Sequence, residues 1–242
     1  MTGWIAMGRD GDGVTAHAMQ GATLIRSARG TDEAAALAHL DFDASRTVHI
    51  GDGTPNGIPT AVLPTGGARL PALTQDTPPD VIGAWVRIWI AGALADRPNW
   101  DGVICAAQGD VRHWIHISAN EVVSCQSTLT PRLAAALEGA TPPDEQALAD
   151  SLSRPERLAA HLRAAEVSGN RAAITGHLIG AELAATRRYW LGQEVILISP
   201  DGTASGLETA LVAQGVPVGT LAADGLLPAG LAALASAFGL AD

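Results

Sequence analysis

Residues 101–137 carry the clearest hydrophobic and polar pattern in the chain. DGVICAA (101–107) is a short apolar run led by a turn residue, the pattern of a buried strand. Gln108-Gly109-Asp110 is turn chemistry, because glycine adopts positive φ freely and aspartate hydrogen-bonds the local backbone. VRHWIHIS (111–118) then alternates. Val111, His113, Ile115 and Ile117 fall on one face, and Arg112, Trp114, His116 and Ser118 on the other. Ser118-Ala119-Asn120 turns the chain again, and EVVSCQS (121–127) makes a third strand. Thr130 as N-cap with Pro131 in the first turn starts a helix through LAAAL. The expected order is strand, turn, strand, turn, strand, helix, with antiparallel strands at 101–107, 112–118 and 121–127.

The remaining pattern is coarser. GWIAMG (3–8) and VTAHAM (14–19) read as strands of a hairpin joined by Arg9-Asp10-Gly11-Asp12-Gly13. Asp10 and Asp12 lack the distant glutamate of a calcium loop, so the turn reads as solvated. Thr31 caps a helix to Leu40, and RTVHI (46–50) and TAVLP (60–64) are strands around a turn-rich loop. Residues 66–79 read as loop. A helix over 80–95 would present Val81, Trp85, Ile88 and Trp89, and Arg97-Pro98-Asn99 reads as a linker. Helices follow over 144–152, from 155 to about 167 and over 169–191. QEVILISPDGTASGLETALVAQGV (193–216) is strand, turn and helix, VPVGTLA a last strand, and 224–239 a closing helix interrupted by Pro228 and Gly230.

Composition narrows the class. The chain has 242 residues, 15 basic side chains and a formal net charge of −10, which argues against nucleic acid because phosphate binding needs clustered Lys and Arg. No apolar run reaches the roughly 20 residues that cross a bilayer. Cys105 and Cys125 sit in apolar strand patterns and read as buried, reduced thiols of a cytoplasmic protein. His113 and His116 lie on opposite strand faces, so no metal site is expected.

The hairpin at 101–125 is similar to a segment of the 2-dehydro-3-deoxygalactonokinase family, sugar-acid kinases of the actin-like ATPase superfamily. There it reads roughly DGVICLPGTHSKWVHVSAGEV. DGVIC, Gly109, Trp114 and the ISA-EVVS frame match, whereas the loop is rewritten. ITGHLIGAELAATRRYWLG (174–192) resembles the family's LSGLLIGAEL. At the N-terminus the family pattern is approximately IAVDWGTTRLRAWL, and Gly8 falls where its aspartate stands. Residues 75–81 resemble the approach to the family's M-R-G-E-E-T-Q motif, but IGAWVRIW follows and both glutamates are missing. T-G-E-L is likewise replaced by Thr130-Pro131-Arg132-Leu133.

The resemblance implies an α/β fold of two RNase H-like lobes, residues 1–98 and 99–242, with mixed sheets flanked by helices. It implies ATP and Mg²⁺ as cofactors, a sugar acid as substrate, and phosphoryl transfer to 2-dehydro-3-deoxygalactonate; a homodimer stays open. Gly109, Arg112, His113, Gly202 and Thr203 hold the positions for contacting nucleotide. No catalytic residue matches the family pattern, and Asp10 and Asp12 are the carboxylates available as substitutes. Together with Asp110 they place negative charge where polyphosphate would lie, which weakens binding. The residues therefore predict a member with weak or lost activity, and the alternative is a non-catalytic binding or interaction protein.

Overall fold

The structure, a computed structural model, describes residues 3–200 and 206–241. Its contacts divide the chain into two compact units, one of Met1–Trp100, Ser118–Ser124 and Ala223–Asp242, the other of Asp101–Ile117 and Cys125–Ala222. The first boundary lies two residues beyond the end of the expected lobe. Two later segments rejoin the first unit, which a contiguous division did not anticipate.

The first unit opens with β1 (Gly3–Asp10), β2 (Gly13–Gln20) and β3 (Thr23–Gly30), then α1 (Glu33–Leu40) and β4 (Arg46–Ile50). The short strands β5 (Asn56–Gly57), β6 (Thr60–Ala61), β7 (Arg69–Leu70), β8 (Leu73–Gln75) and β9 (Asp80–Ile82) precede α2 (Ala84–Leu94). The main sheet runs β3-β2-β1-β4-β7, with β1 antiparallel to β2 and parallel to β4. Alternation gives β1 two buried faces. Trp4 and Ala6 join Val48, Ile50, Trp85 and Ile88, while Ile5 and Met7 meet Ala36 and Leu40 of α1.

Several local expectations shift. Residues 23–30, left unassigned by the pattern, form β3. Asp32 rather than Thr31 caps α1, its side chain accepting from Ala35 N at 2.8 Å. Residues 80–82 are strand and α2 starts only after Gly83, because Gln75 pairs with Asp80 across a hairpin. Val81 is consequently 55% exposed instead of on a buried helix face. Within the expected loop at 66–79 lie β7 and the start of that hairpin.

In the second unit, β10 (Gly102–Gln108), β11 (Val111–Ser118) and β12 (Glu121–Thr128) fall within about a residue of expectation, and β10 and β11 are antiparallel in register Cys105 with Trp114. The start of β12, counted with the first unit, pairs with β6. Then come α3 (Thr130–Ala136), α4 (Glu145–Ser153), a 3₁₀ turn at Pro155–Arg157, α5 (Leu158–Ser168), α6 (Arg171–Ala185) and α7 (Arg187–Trp190). Leu129, not Thr130, is the residue before the first turn of α3. The unit closes with β13 (Val195–Ser199), α8 (Leu207–Ala213) and β14 (Val218–Ala222), and α9 (Ala223–Ala237) belongs to the first unit. Strands β14, β13 and β10 are parallel neighbours.

Glycines set two helix crossings. A Cβ on Gly176 or Gly180 of α6 would overlap the carbonyl oxygens of Asp144 or Leu148, so α6 and α4 touch backbone to backbone. In the first unit, Gly92 and Gly230 do the same for α2 and α9. Cys105 and Cys125 are buried thiols not joined in a disulfide, and burial pushes the Cys105 thiol well above its ordinary range.

Candidate functional site

Three chain segments carry the candidate chemistry, one in the first unit and two in the second. The first is the β1–β2 turn. β1 delivers Gly8 to a place where a Cβ would overlap the carbonyl oxygen and Cβ of Ile50 on β4. No side chain fits there without moving β4. Gly8→Asp, which would put a carboxylate where the family resemblance expects one, is therefore predicted to lower stability by at least about 1–3 kcal/mol. Gly8→Ala should do nearly the same, and urea unfolding of the two variants measures it.

Asp10 and Asp12 are brought together by Arg29 at the end of β3. Arg29 Nη2 donates to Asp12 Oδ1 and to Asp10 O, both at 2.8 Å, and Nη1 lies 3.7 Å from the Asp10 carboxylate. The structure carries β1 through Asp10, so the turn is only Gly11-Asp12, and with Arg9 exposed near the strand's end, two cations accompany two carboxylates. The repulsion expected from Asp10 and Asp12 alone is thus offset by a residue 17 positions away. All three side chains are largely exposed, so these pairs stabilise the fold by no more than about 1 kcal/mol each. Behind the turn, Trp85 Nε1 donates to Arg9 O at 2.7 Å, and His17 stands edge-on to Trp85 with Nδ1 2.7 Å from Ser27 Oγ.

The second segment is the β10–β11 turn. Gly109 is in the left-handed region with φ 55° and faces open space, as the turn chemistry requires. Asp110 is taken by Arg132 of α3, Nε to Oδ2 at 3.3 Å. Arg112 points inward. Its Nη1 donates to Glu182 Oε2 at 2.7 Å, and Trp114 Nε1 donates to Glu182 Oε1 at 2.8 Å. The Glu182 side chain is fully buried. Burial by itself would lower the Arg112 guanidinium, but attraction to Glu182 raises it above its ordinary value. His113, on the opposite strand face, is buried with Nδ1 2.6 Å from Ser127 Oγ. The alternation predicted that separation of Arg112 from His113; it did not reveal what either side chain touches.

The third segment follows β13. Gly202 and Thr203 lie outside the described residues. Beside them, Gly206 precedes α8 with φ 81°, and a Cβ there would overlap Pro143. A cavity of about 310 Å³ opens at this point, lined by Gly206, Thr209 and Ala213 along α8 and by Pro143, Leu148 and Leu152 at α4. Its wall is largely apolar, as suits a flat ring system. Among the described residues, no group of three His, Cys, Asp or Glu side chains is placed to hold a metal ion.

Arg29, Arg132 and Glu182 organise these segments, and sequence reasoning passed over all three as partners. A signal existed for Glu182: a lone acid in the apolar helix ITGHLIGAEL seldom stays buried unpaired. Arg112 and Trp114 on one strand face were the available donors.

Residues 68–234 match the family profile of 2-keto-3-deoxy-galactonokinase. Over the whole fold, the chain is similar to a Sinorhizobium meliloti protein described as a candidate 2-dehydro-3-deoxygalactonokinase. Identity is 19%, coverage 97% of this chain and 98% of that one, and the TM-score 0.77. It is also similar to component A of (R)-2-hydroxyglutaryl-CoA dehydratase from Acidaminococcus fermentans, at 13% identity over 98% of this chain and 99% of that one, TM-score 0.53. The activator of 2-hydroxyisocaproyl-CoA dehydratase from Clostridium difficile, with bound ADPNP, matches at 10% identity over 99% and 95%, TM-score 0.51. These likenesses establish the fold, a two-lobed α/β architecture of the actin-like ATPase type with mixed sheets flanked by helices. No curated protein matches the chain. By the profile match across most of its length, the chain belongs to the 2-keto-3-deoxy-galactonokinase family.

Proposed function

We propose that this protein is a sugar-acid kinase scaffold in which phosphoryl transfer from ATP to 2-dehydro-3-deoxygalactonate is weak or lost. Phosphoryl transfer rests on positioning and on neutralising charge with metal and cationic donors. The observation that carries the reading is Gly8. The position that the family resemblance gives to the metal aspartate holds no side chain here, and Ile50 occupies the space one would need. The donor set at the first turn does not fit a magnesium polyphosphate in the family's manner, because Asp10 and Asp12 are already held by Arg29. At the second turn Arg112 is committed to Glu182 and Asp110 to Arg132.

A second reading, a binding protein without turnover, draws on the cavity beside Gly206, which would accept a base while the phosphate turns contribute little. Either reading goes with a cytoplasmic protein whose two thiols stay reduced, acting in galactonate metabolism.

Purified protein with Mg²⁺-ATP and 2-dehydro-3-deoxygalactonate is expected to turn over at background rate, and calorimetry should find nucleotide binding weak or undetectable. A kcat in the ordinary range of about 1–10³ per second would overturn the proposal. Binding of ATP and sugar acid without turnover would select the second reading.

A further inference from the structure

Arg87 of α2 is fully buried. Its Nε donates to Val62 O at 2.8 Å, Nη1 to Asn56 Oδ1 at 2.9 Å and to Pro71 O at 2.6 Å, and Nη2 to Ala61 O at 3.3 Å. The orientation of the Asn56 amide follows from the guanidinium, which can only donate. All four acceptors are neutral, and burial pulls the guanidinium down to about 10. A buried cation ordinarily comes with a carboxylate. The side chain in this cradle is an asparagine, one amide away from being that carboxylate.

Asn56 is followed by Gly57, and the backbone nitrogen of a glycine is the least obstructed nucleophile an asparagine amide can meet. Asn56 N donates to Ala72 O and Ile58 N to Thr74 O, so both face β8. Alternation turns the intervening Gly57 N–H toward the open edge of the sheet β5-β8-β9. Gly57 is exposed, and a Cβ on it would meet nothing within 4 Å. A two-residue edge strand opens at low cost. Meanwhile Arg87 Nη1, bonded to Oδ1, draws charge from Cγ and steadies the oxygen while Cγ is attacked, as an oxyanion donor does.

We propose that Asn56 is a site of spontaneous deamidation whose product places a carboxylate on Arg87. Gly57 N bonds to Asn56 Cγ and gives up its proton, and the side-chain nitrogen leaves as ammonia, closing a succinimide. One water then adds and breaks one of the two imide C–N bonds. Cleavage at Cγ gives aspartate, and cleavage at the main-chain carbonyl gives isoaspartate. Water is consumed, ammonia is released and the chain gains one negative charge. Aspartate is the favoured product in the folded chain, because its carboxylate takes over the Oδ1 position against Arg87. Isoaspartate lengthens the backbone and breaks the pairing of β5 with β8.

Mass mapping of the folded protein, held at mildly alkaline pH, tests the proposal. The expected result is a one-dalton gain in the peptide containing Asn56, with aspartate as the main product. Gly57→Ala, which has room for its methyl, should slow that gain about tenfold or more without changing the unfolding midpoint. Asn56→Asp should unfold at a higher urea concentration than the parent. No gain at Asn56 in the folded chain, when the urea-unfolded chain does gain there, would overturn the site. Isoaspartate as the main product, or a lower midpoint for Asn56→Asp, would overturn the part given to Arg87.

Discussion

Replacing Arg112 with methionine is expected to cost about 3–5 kcal/mol of folding stability. The loss comes less from the missing hydrogen bond than from what remains. Glu182 has no exposed side-chain surface, and without Arg112 its charge is left with Trp114 Nε1 as its donor. Desolvating an unpaired carboxylate is far more costly than a well-formed ion pair is stabilising. The double variant Arg112→Met/Glu182→Gln should therefore recover much of the loss, since the amide still accepts from Trp114 and carries no charge. Urea unfolding of the two single variants and the double variant gives the coupling directly. The outcome also decides between two roles for Arg112. If its guanidinium held phosphate, Arg112→Met would weaken nucleotide binding and leave the unfolding midpoint nearly unchanged.

Acidification is expected to remove about 3 kcal/mol of stability through His17 alone. His17 is 6% exposed and lies against Trp85 and Ser27. Burial lowers it from 6.5 to about 4, with attraction to Asp224 opposing. Between those two pH values the unfolded chain binds a proton that the folded chain refuses, so stability falls as pH falls. The loss begins near 6.5 and is complete below about 4, at about 1.4 kcal/mol per pH unit. His177 adds in the same direction. It is lowered by burial and then by His161, whose ring lies 4.6 Å away, both Nδ1 atoms meeting the buried Ser151 hydroxyl. Urea midpoints of the parent and of His17→Gln, measured across that range, should converge as pH drops. Parallel curves would show that His17 titrates normally in the folded state.

Local pattern determined a large part of this protein. An apolar run, alternation and turn residues placed β10, β11 and β12 to within about a residue, because strand side chains point to opposite faces in turn and Gly, Asp and Asn end each run. Asp144 heads α4 and accepts from Ala147 N at 2.9 Å, as its position before Glu145-Gln146 suggested. The family, too, was legible, since DGVIC and LIGAEL are each unbroken runs of residues.

Pairing across distance was decided only by the tertiary structure. Arg112 reads as a cation near a phosphate loop until Glu182, 70 residues later, arrives beneath it on α6. Asp10 and Asp12 read as an uncompensated acidic turn until β3 brings Arg29 alongside. Gly8 reads as a missing aspartate, but only its contact with Ile50 shows that the space has closed as well. Alternation and capping act over a few bonds and leave a trace in the adjacent letters. Electrostatic partners and steric room depend on strand register and helix crossing, which the whole chain sets together.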